Sequence, residues 1–74
     1  MDEVEKLRSG GEIHLRTSAG SYGRMWVEDG TLMAEVHGLL PWQKYGPKPA
    51  VEFNVRRAYG MGNIIKLITE IYEG

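Results

Sequence analysis

The chain has 74 residues, 42% of them hydrophobic and 26% charged, with no cysteine and a formal net charge of −1. This composition excludes a disulfide framework, a thiolate metal site and intrinsic disorder, and it limits the molecule to one domain that buries only about 60% of its unfolded surface. No apolar run approaches the roughly 20 residues that span a bilayer, and the opening MDEVEKLRSGGE is too acidic for a secretory signal. The expectation is a cytoplasmic protein that makes no membrane contact.

Residues 2–8 read as a short helix, with Asp2 as N-cap and acids in the first turn. Only Val4 and Leu7 are apolar there, so the helix would be weak alone. Ser9-Gly10-Gly11 ends it. Residues 12–18 alternate as a half-buried strand, with Ile13, Leu15 and Thr17 on one side and Glu12, His14, Arg16 and Ser18 on the other. After a turn at Ala19-Gly20-Ser21, a second strand runs from Tyr22 to Glu28.

Asp29-Gly30 suits a two-residue type I′ hairpin, in which both central residues take positive φ. It leads to a third strand, Thr31 to His37. That turn fixes a register pairing Glu28 with Thr31, Val27 with Leu32, Trp26 with Met33, Met25 with Ala34, Arg24 with Glu35 and Tyr22 with His37. One face then collects Met25, Val27, Leu32, Ala34 and Val36. The other collects Tyr22, Trp26, Met33 and His37, with Arg24 set against Glu35. A slip of one residue would mix the two sets.

The stretch GLLPWQKYGPKPA, residues 38–50, reads as a long ordered loop, stiffened by Pro41, Pro47 and Pro49. Leu39 and Leu40 are expected to plug the end of the core, with Trp42 either joining that plug or serving as a contact residue, and Lys44, Tyr45 and Lys48 stand at an exposed tip. Residues 38–59 hold Lys44, Lys48, Arg56 and Arg57 against Glu52, a local balance of +3. A fourth strand is expected over AVEFNVRRA, with Val51, Phe53 and Val55 inward, Glu52, Asn54 and Arg56 outward, and an end or bulge at Arg57. The tail from Gly60 to Gly74 is helical, with Met61, Ile64, Ile65, Ile68, Ile71 and Tyr72 on one stripe and Asn63 or the glycine pair at its start. The fold class is therefore α+β: a four-stranded antiparallel sheet in ββββα order, a C-terminal helix on one face and a short N-terminal helix.

A two-layer domain leaves one sheet face open unless the N-terminal segment or a second copy covers it. Arg16, Tyr22, Arg24, Trp26, Met33, His37 and Arg56 are assigned there, beside His14, Glu35 and Asn54. Trp, Tyr, Met and Arg are the residues enriched at protein interfaces. With Trp42, Lys44, Tyr45 and Lys48 of the loop they form the candidate partner-binding set. The same residues would also suit a single-stranded nucleic acid, with bases stacked on Trp26 or Tyr22 and guanidinium groups on phosphates.

Catalytic patterns are weak. Gly60-Met61-Gly62-Asn63 lacks the third glycine of a dinucleotide fingerprint and any βαβ unit around it. Ser9, Ser18 and Ser21 have no nucleophile elbow. Glu28 and Asp29 sit at a hairpin tip with nothing to raise a pKa. His14, His37 and Glu35 make a poor zinc set. The expectation is a non-enzymatic binding protein with no cofactor and no metal, whose partner is a protein. A single-stranded nucleic acid is the alternative, and a homodimer through the open face is a further option. In scale and composition the chain resembles the compact viral and mobile-element inhibitors of host machinery, anti-CRISPR proteins among them. That resemblance implies action by blocking a partner's surface.

Overall fold

The computed structural model describes residues 2–74. Helix α1 spans Glu3–Arg8, strands β1 to β4 span Ile13–Arg16, Tyr22–Glu28, Thr31–His37 and Lys44–Pro49, and helix α2 spans Gly62–Glu73. Two short 3-10 turns, Ala50–Glu52 and Val55–Arg57, link β4 to α2. The sheet is an antiparallel meander in the order β1-β2-β3-β4. The architecture is α+β, with α2 and α1 on one side of the sheet. Among the described residues no helix is long and apolar enough to cross a membrane.

The hairpin follows from its turn. Asp29 and Gly30 both take positive φ, 51° and 79°, which matches the right-handed twist of the flanking strands. The resulting register joins Tyr22 to His37, Arg24 to Glu35, Trp26 to Met33 and Val27 to Leu32. Met25, Leu32, Ala34 and Val36 are buried beneath α2, with Ile13 from β1 beside Met25. Opposite Val36 on β2 stands Gly23, where an added Cβ would lie 2.5 Å from Met61 Sδ. The missing side chain makes room for the methionine that opens α2.

Helix α1 is capped by the Asp2 carboxylate, which accepts a 2.8 Å bond from the Glu5 amide. Its buried residue is Leu7, and Arg8 donates to the Tyr72 carbonyl of α2 at 3.1 Å. The N-terminal segment therefore lies on the helical side, and the open sheet face stays uncovered in the monomer.

Several expectations need correction. The fourth strand is Lys44–Pro49, inside the stretch read as loop, and residues 50–57 instead carry the two 3-10 turns, joined by Phe53 and Asn54. Prolines at 47 and 49 argue against a central strand, but an edge strand tolerates them because half its amides face solvent. A register irregularity opposite Ala34 and Val36 absorbs Gly46, whose φ of 94° places a would-be Cβ 2.7 Å from the Ala34 carbonyl oxygen. Of the residues assigned inward on the expected strand, Phe53 is buried while Val51 and Val55 are exposed. Asn54 faces no strand. Its carboxamide oxygen accepts from the Arg56 amide and caps the second turn.

The apolar stripe of α2 is also narrower than its sequence spacing. Met61, Ile65 and Ile68 are buried and Tyr72 is half-buried, whereas Ile64 and Ile71 face solvent. Gly62 sets this rotation by bringing the helix backbone against Val55, and Thr69 turns inward with its hydroxyl on the Ile65 carbonyl at 2.6 Å. Met61 precedes the helix without a side-chain cap, so neither Asn63 nor a glycine pair performs that role.

Candidate binding surface

The register lays the open face out as rows across the strands. The row at the β3 end joins Arg16 of β1, Tyr22 of β2, His37 of β3 and Lys44 of β4. The next holds His14, Arg24 and Glu35, and beyond it Trp26 faces Met33. Arg16, Tyr22, Arg24, Trp26, Met33 and His37 thus share one face, and Lys44 joins them from β4.

Most charges in the middle of this face are matched internally. Arg24 bonds Glu35 at 3.1 Å and Glu12 at 3.4 Å, with its guanidinium carbon 4.2 Å from the Trp26 ring centroid. The Arg24 Nε is enclosed without a hydrogen-bond partner, so the cation is held by its terminal nitrogens and by the ring. Glu12 also reaches His14 Nε2 at 3.0 Å, and Glu35 lies 3.6 Å from His37 Nε2. Tyr22 stands between the two imidazoles, its hydroxyl hydrogen-bonded to His14 Nδ1 and its ring 6.2 Å from that of His37. Trp26 donates to Glu28 at 3.3 Å. Arg16 is different. Its guanidinium lies 5.5 Å from the Tyr22 ring, and among the described residues no carboxylate pairs with it or with Lys44.

Beyond the Tyr22 row the chain forms a tight projection. Gly38 N–H donates to the Gln43 carbonyl at 2.6 Å, Gln43 N–H to the Leu40 carbonyl at 2.9 Å and Lys44 N–H to the Trp42 carbonyl at 3.0 Å. The Gln43 side chain accepts from the Leu40 amide at 3.0 Å. Leu39 packs against Gly20 of the β1–β2 turn, where a Cβ would come within 2.5 Å of it. This ordered turn nevertheless leaves Leu39 72%, Leu40 45% and Trp42 75% exposed.

The division of labour expected for residues 38–50 is therefore reversed. Leu39, Leu40 and Trp42 do not plug the core; they form the projecting tip. Tyr45 does the plugging, because it pairs with Val36, an inward position, and meets Phe53 edge-on at 4.7 Å. Lys48 pairs with Ala34, also inward, and its ammonium lies 4.9 Å from the Tyr45 ring. Tyr45 and Lys48 thus leave the candidate surface. Arg56 leaves it too, since it sits in the second 3-10 turn rather than on a strand.

The Tyr45 hydroxyl oxygen accepts from the Asn54 amide at 3.0 Å and from Lys48 Nζ at 3.3 Å. The Asn54 bond first, and then the lysine, favour the phenolate and hold this tyrosine below the ordinary phenol range against a weaker opposing effect of desolvation. The wild-type minus Tyr45→Phe difference in phenolate absorbance is expected to titrate with a midpoint below about 10. A midpoint at or above that value would mean that the Asn54 and Lys48 bonds are not made in solution.

On the opposite side, a cleft of about 370 Å³ runs between α2 and the 3-10 turns, floored by Phe53, Val55 and Ile65 and edged by Lys66 and Glu70. Among the described residues no three histidine or acidic side chains converge where a metal ion could sit. No known family model, no curated protein and no solved structure matches the chain.

Proposed function

We propose that this protein is a non-enzymatic binding module that docks on a protein partner through the Leu39–Trp42 tip and the adjoining open sheet face. One observation carries the reading. Trp42 is three-quarters exposed on a turn whose own hydrogen bonds, from Gly38, Leu40, Gln43 and Lys44, fix its backbone. An anchor carried on an ordered backbone loses less conformational freedom on docking than one on a mobile loop, and tryptophan is prominent among the residues that dominate interface energetics. Four consecutive residues, Leu-Leu-Pro-Trp, are exposed together, and a monomer's surface rarely carries such a cluster without a use for it. A binder of this kind acts by occupying its partner's surface, which is the way an inhibitor of 74 residues would work.

The test is affinity capture from lysate of the cell that makes the protein, using wild type, Trp42→Ala and Trp26→Ala in parallel. Truncating a central anchor typically removes about 2 kcal/mol or more of binding free energy, a loss of roughly 30-fold. A protein retained by wild type should therefore be lost with Trp42→Ala, while the variant's melting temperature stays within about 3 °C of the parent's because the side chain buries little. Equal retention by both would overturn the reading. So would tight binding of a labelled single-stranded oligonucleotide that weakens steeply with salt and fails in Trp26→Ala, which would favour nucleic acid instead.

A further inference from the structure

The row nearest the tip is electrostatically unlike those behind it. Arg16 and Lys44 stand at its two ends, both exposed and, among the described residues, both without a carboxylate partner. Tyr22 and His37 lie between them. One row further in, Arg24 is already shared by Glu12 and Glu35; Glu12 also faces His14 there, and Glu35 reaches back to His37 of the first row. The open face therefore presents two uncompensated cations at one end, with an aromatic and an imidazole between them and an apolar projection beside them.

The spacing of this row selects a ligand. Neighbouring strands lie about 4.8 Å apart, so the three intervals from Arg16 to Lys44 span about 14 Å. An extended peptide sets alternate side chains on one face about 6.6–6.8 Å apart, so residues four positions apart span about 13–14 Å. We infer that the partner meets this row with an extended acidic segment. Two carboxylates four residues apart face Arg16 and Lys44, and the side chain midway between them, an apolar one, rests over Tyr22 and His37. The inference builds on the binding-module reading and specifies the chemistry of the partner.

Nucleic acid fits the same row less well. A polynucleotide carries a phosphate at every residue, and its strand would bring some of them over Glu12, Glu28 and Glu35. A peptide places its two charges where the cations are and leaves Glu12 and Glu35 in their pairs with Arg24. Like-charge contacts of the first kind are costly, whereas complementary rim charges raise association rates and fix orientation.

The experiment is a titration of ¹⁵N-labelled full-length protein with three probes: acetyl-Glu-Ala-Val-Ala-Glu-amide, its Lys-Ala-Val-Ala-Lys counterpart and a thymidine hexanucleotide. The acidic peptide should shift the amide resonances of Arg16, Tyr22, His37 and Lys44, with an apparent Kd that rises between about 50 and 300 mM salt. The double variant Arg16→Glu/Lys44→Glu should bind it about tenfold more weakly and take up the lysine peptide instead. Absence of shifts at about 1 mM acidic peptide, equal shifts from the lysine peptide, or tighter binding of the hexanucleotide would each overturn the inference. The capture assay remains an independent measurement. Loss of capture in Trp42→Ala with no response to the acidic peptide sinks the acidic segment and keeps the module. A peptide response with capture indifferent to Trp42 keeps the acidic site and sinks the anchor.

Discussion

Gly62→Ala should lower the melting temperature by about 10–20 °C, although at an exposed helix position the same change stabilises by roughly 0.5–1 kcal/mol. The sign reverses because of what the helix touches. An added Cβ at Gly62 would lie 2.2 Å from the Val55 carbonyl oxygen, 2.5 Å from its Cα and 2.7 Å from its carbonyl carbon. All three are backbone atoms, so no side-chain rotation relieves the overlap. The first turn of α2 would have to lift off the second 3-10 turn, and Met61 and Ile65, both buried, would lift with it. Overpacking of this kind costs about 1–3 kcal/mol, and the partly opened core adds to it. Gly60→Ala is the control. Its Cβ would meet nothing within 4 Å, but φ is 86°. That substitution reports left-handed backbone strain alone, about 1–2 kcal/mol. Thermal melts of the two variants separate steric from conformational cost. A midpoint for Gly62→Ala at or above wild type would show that α2 does not rest on Val55.

The central hairpin was legible because one short signal fixed everything beyond it. Asp29-Gly30 selects a turn of known length, the turn selects a register, and the period-2 alternation of β2 and β3 confirms it residue by residue. Helix α2 was legible from its spacing, but its rotation was not, because the close approach of Gly62 to Val55 is a contact 7 residues apart that periodicity does not encode. Strand β4 was hidden by its prolines. Without β4 the parity of Tyr45 was unknown, so it read as part of the exposed tip and the leucines as the plug. The pairing of Tyr45 with Val36 decides it, since opposite residues in an antiparallel pair point to the same side.

The candidate surface was half legible for the same reason. Six of its residues follow from the alternation of β1 and the hairpin register, and the structure keeps Arg16, Tyr22, Arg24, Trp26, Met33 and His37 on one face. Counting charges along the chain overstated how many are available to a partner. Arg24, which the hairpin register already sets against Glu35, is also held by Glu12, 12 residues away. Lys48 is drawn to the Tyr45 ring on the helical side. What remains for a partner is fewer cations, gathered at one end beside Trp42.

Leu7→Ala should remove about 3 kcal/mol of stability, a large share of the roughly 4–11 kcal/mol available to a domain of this length. Leu7 is 1% exposed and is the single buried residue of α1. A helix of six residues does not persist alone in water, so its docking depends on that side chain. Without it the amides of α1 should lose protection from hydrogen exchange, and Ile13 and Met25, which share its core cluster, should follow. Arg8→Ala tests the remaining tether. Its bond to the Tyr72 carbonyl and its position 5.6 Å from the Tyr72 ring are solvent-exposed, so its loss should cost less than about 1 kcal/mol. The functional consequence is separable. Below its lowered midpoint, Leu7→Ala should still capture a partner, because Arg16, Tyr22, His37, Trp42 and Lys44 rest on β1–β4 and the tip rather than on α1. If Leu7→Ala proves no more costly than Arg8→Ala, α1 is not docked on the core. Its segment is then free to lie across Trp26, and the open face loses its claim to be a binding surface.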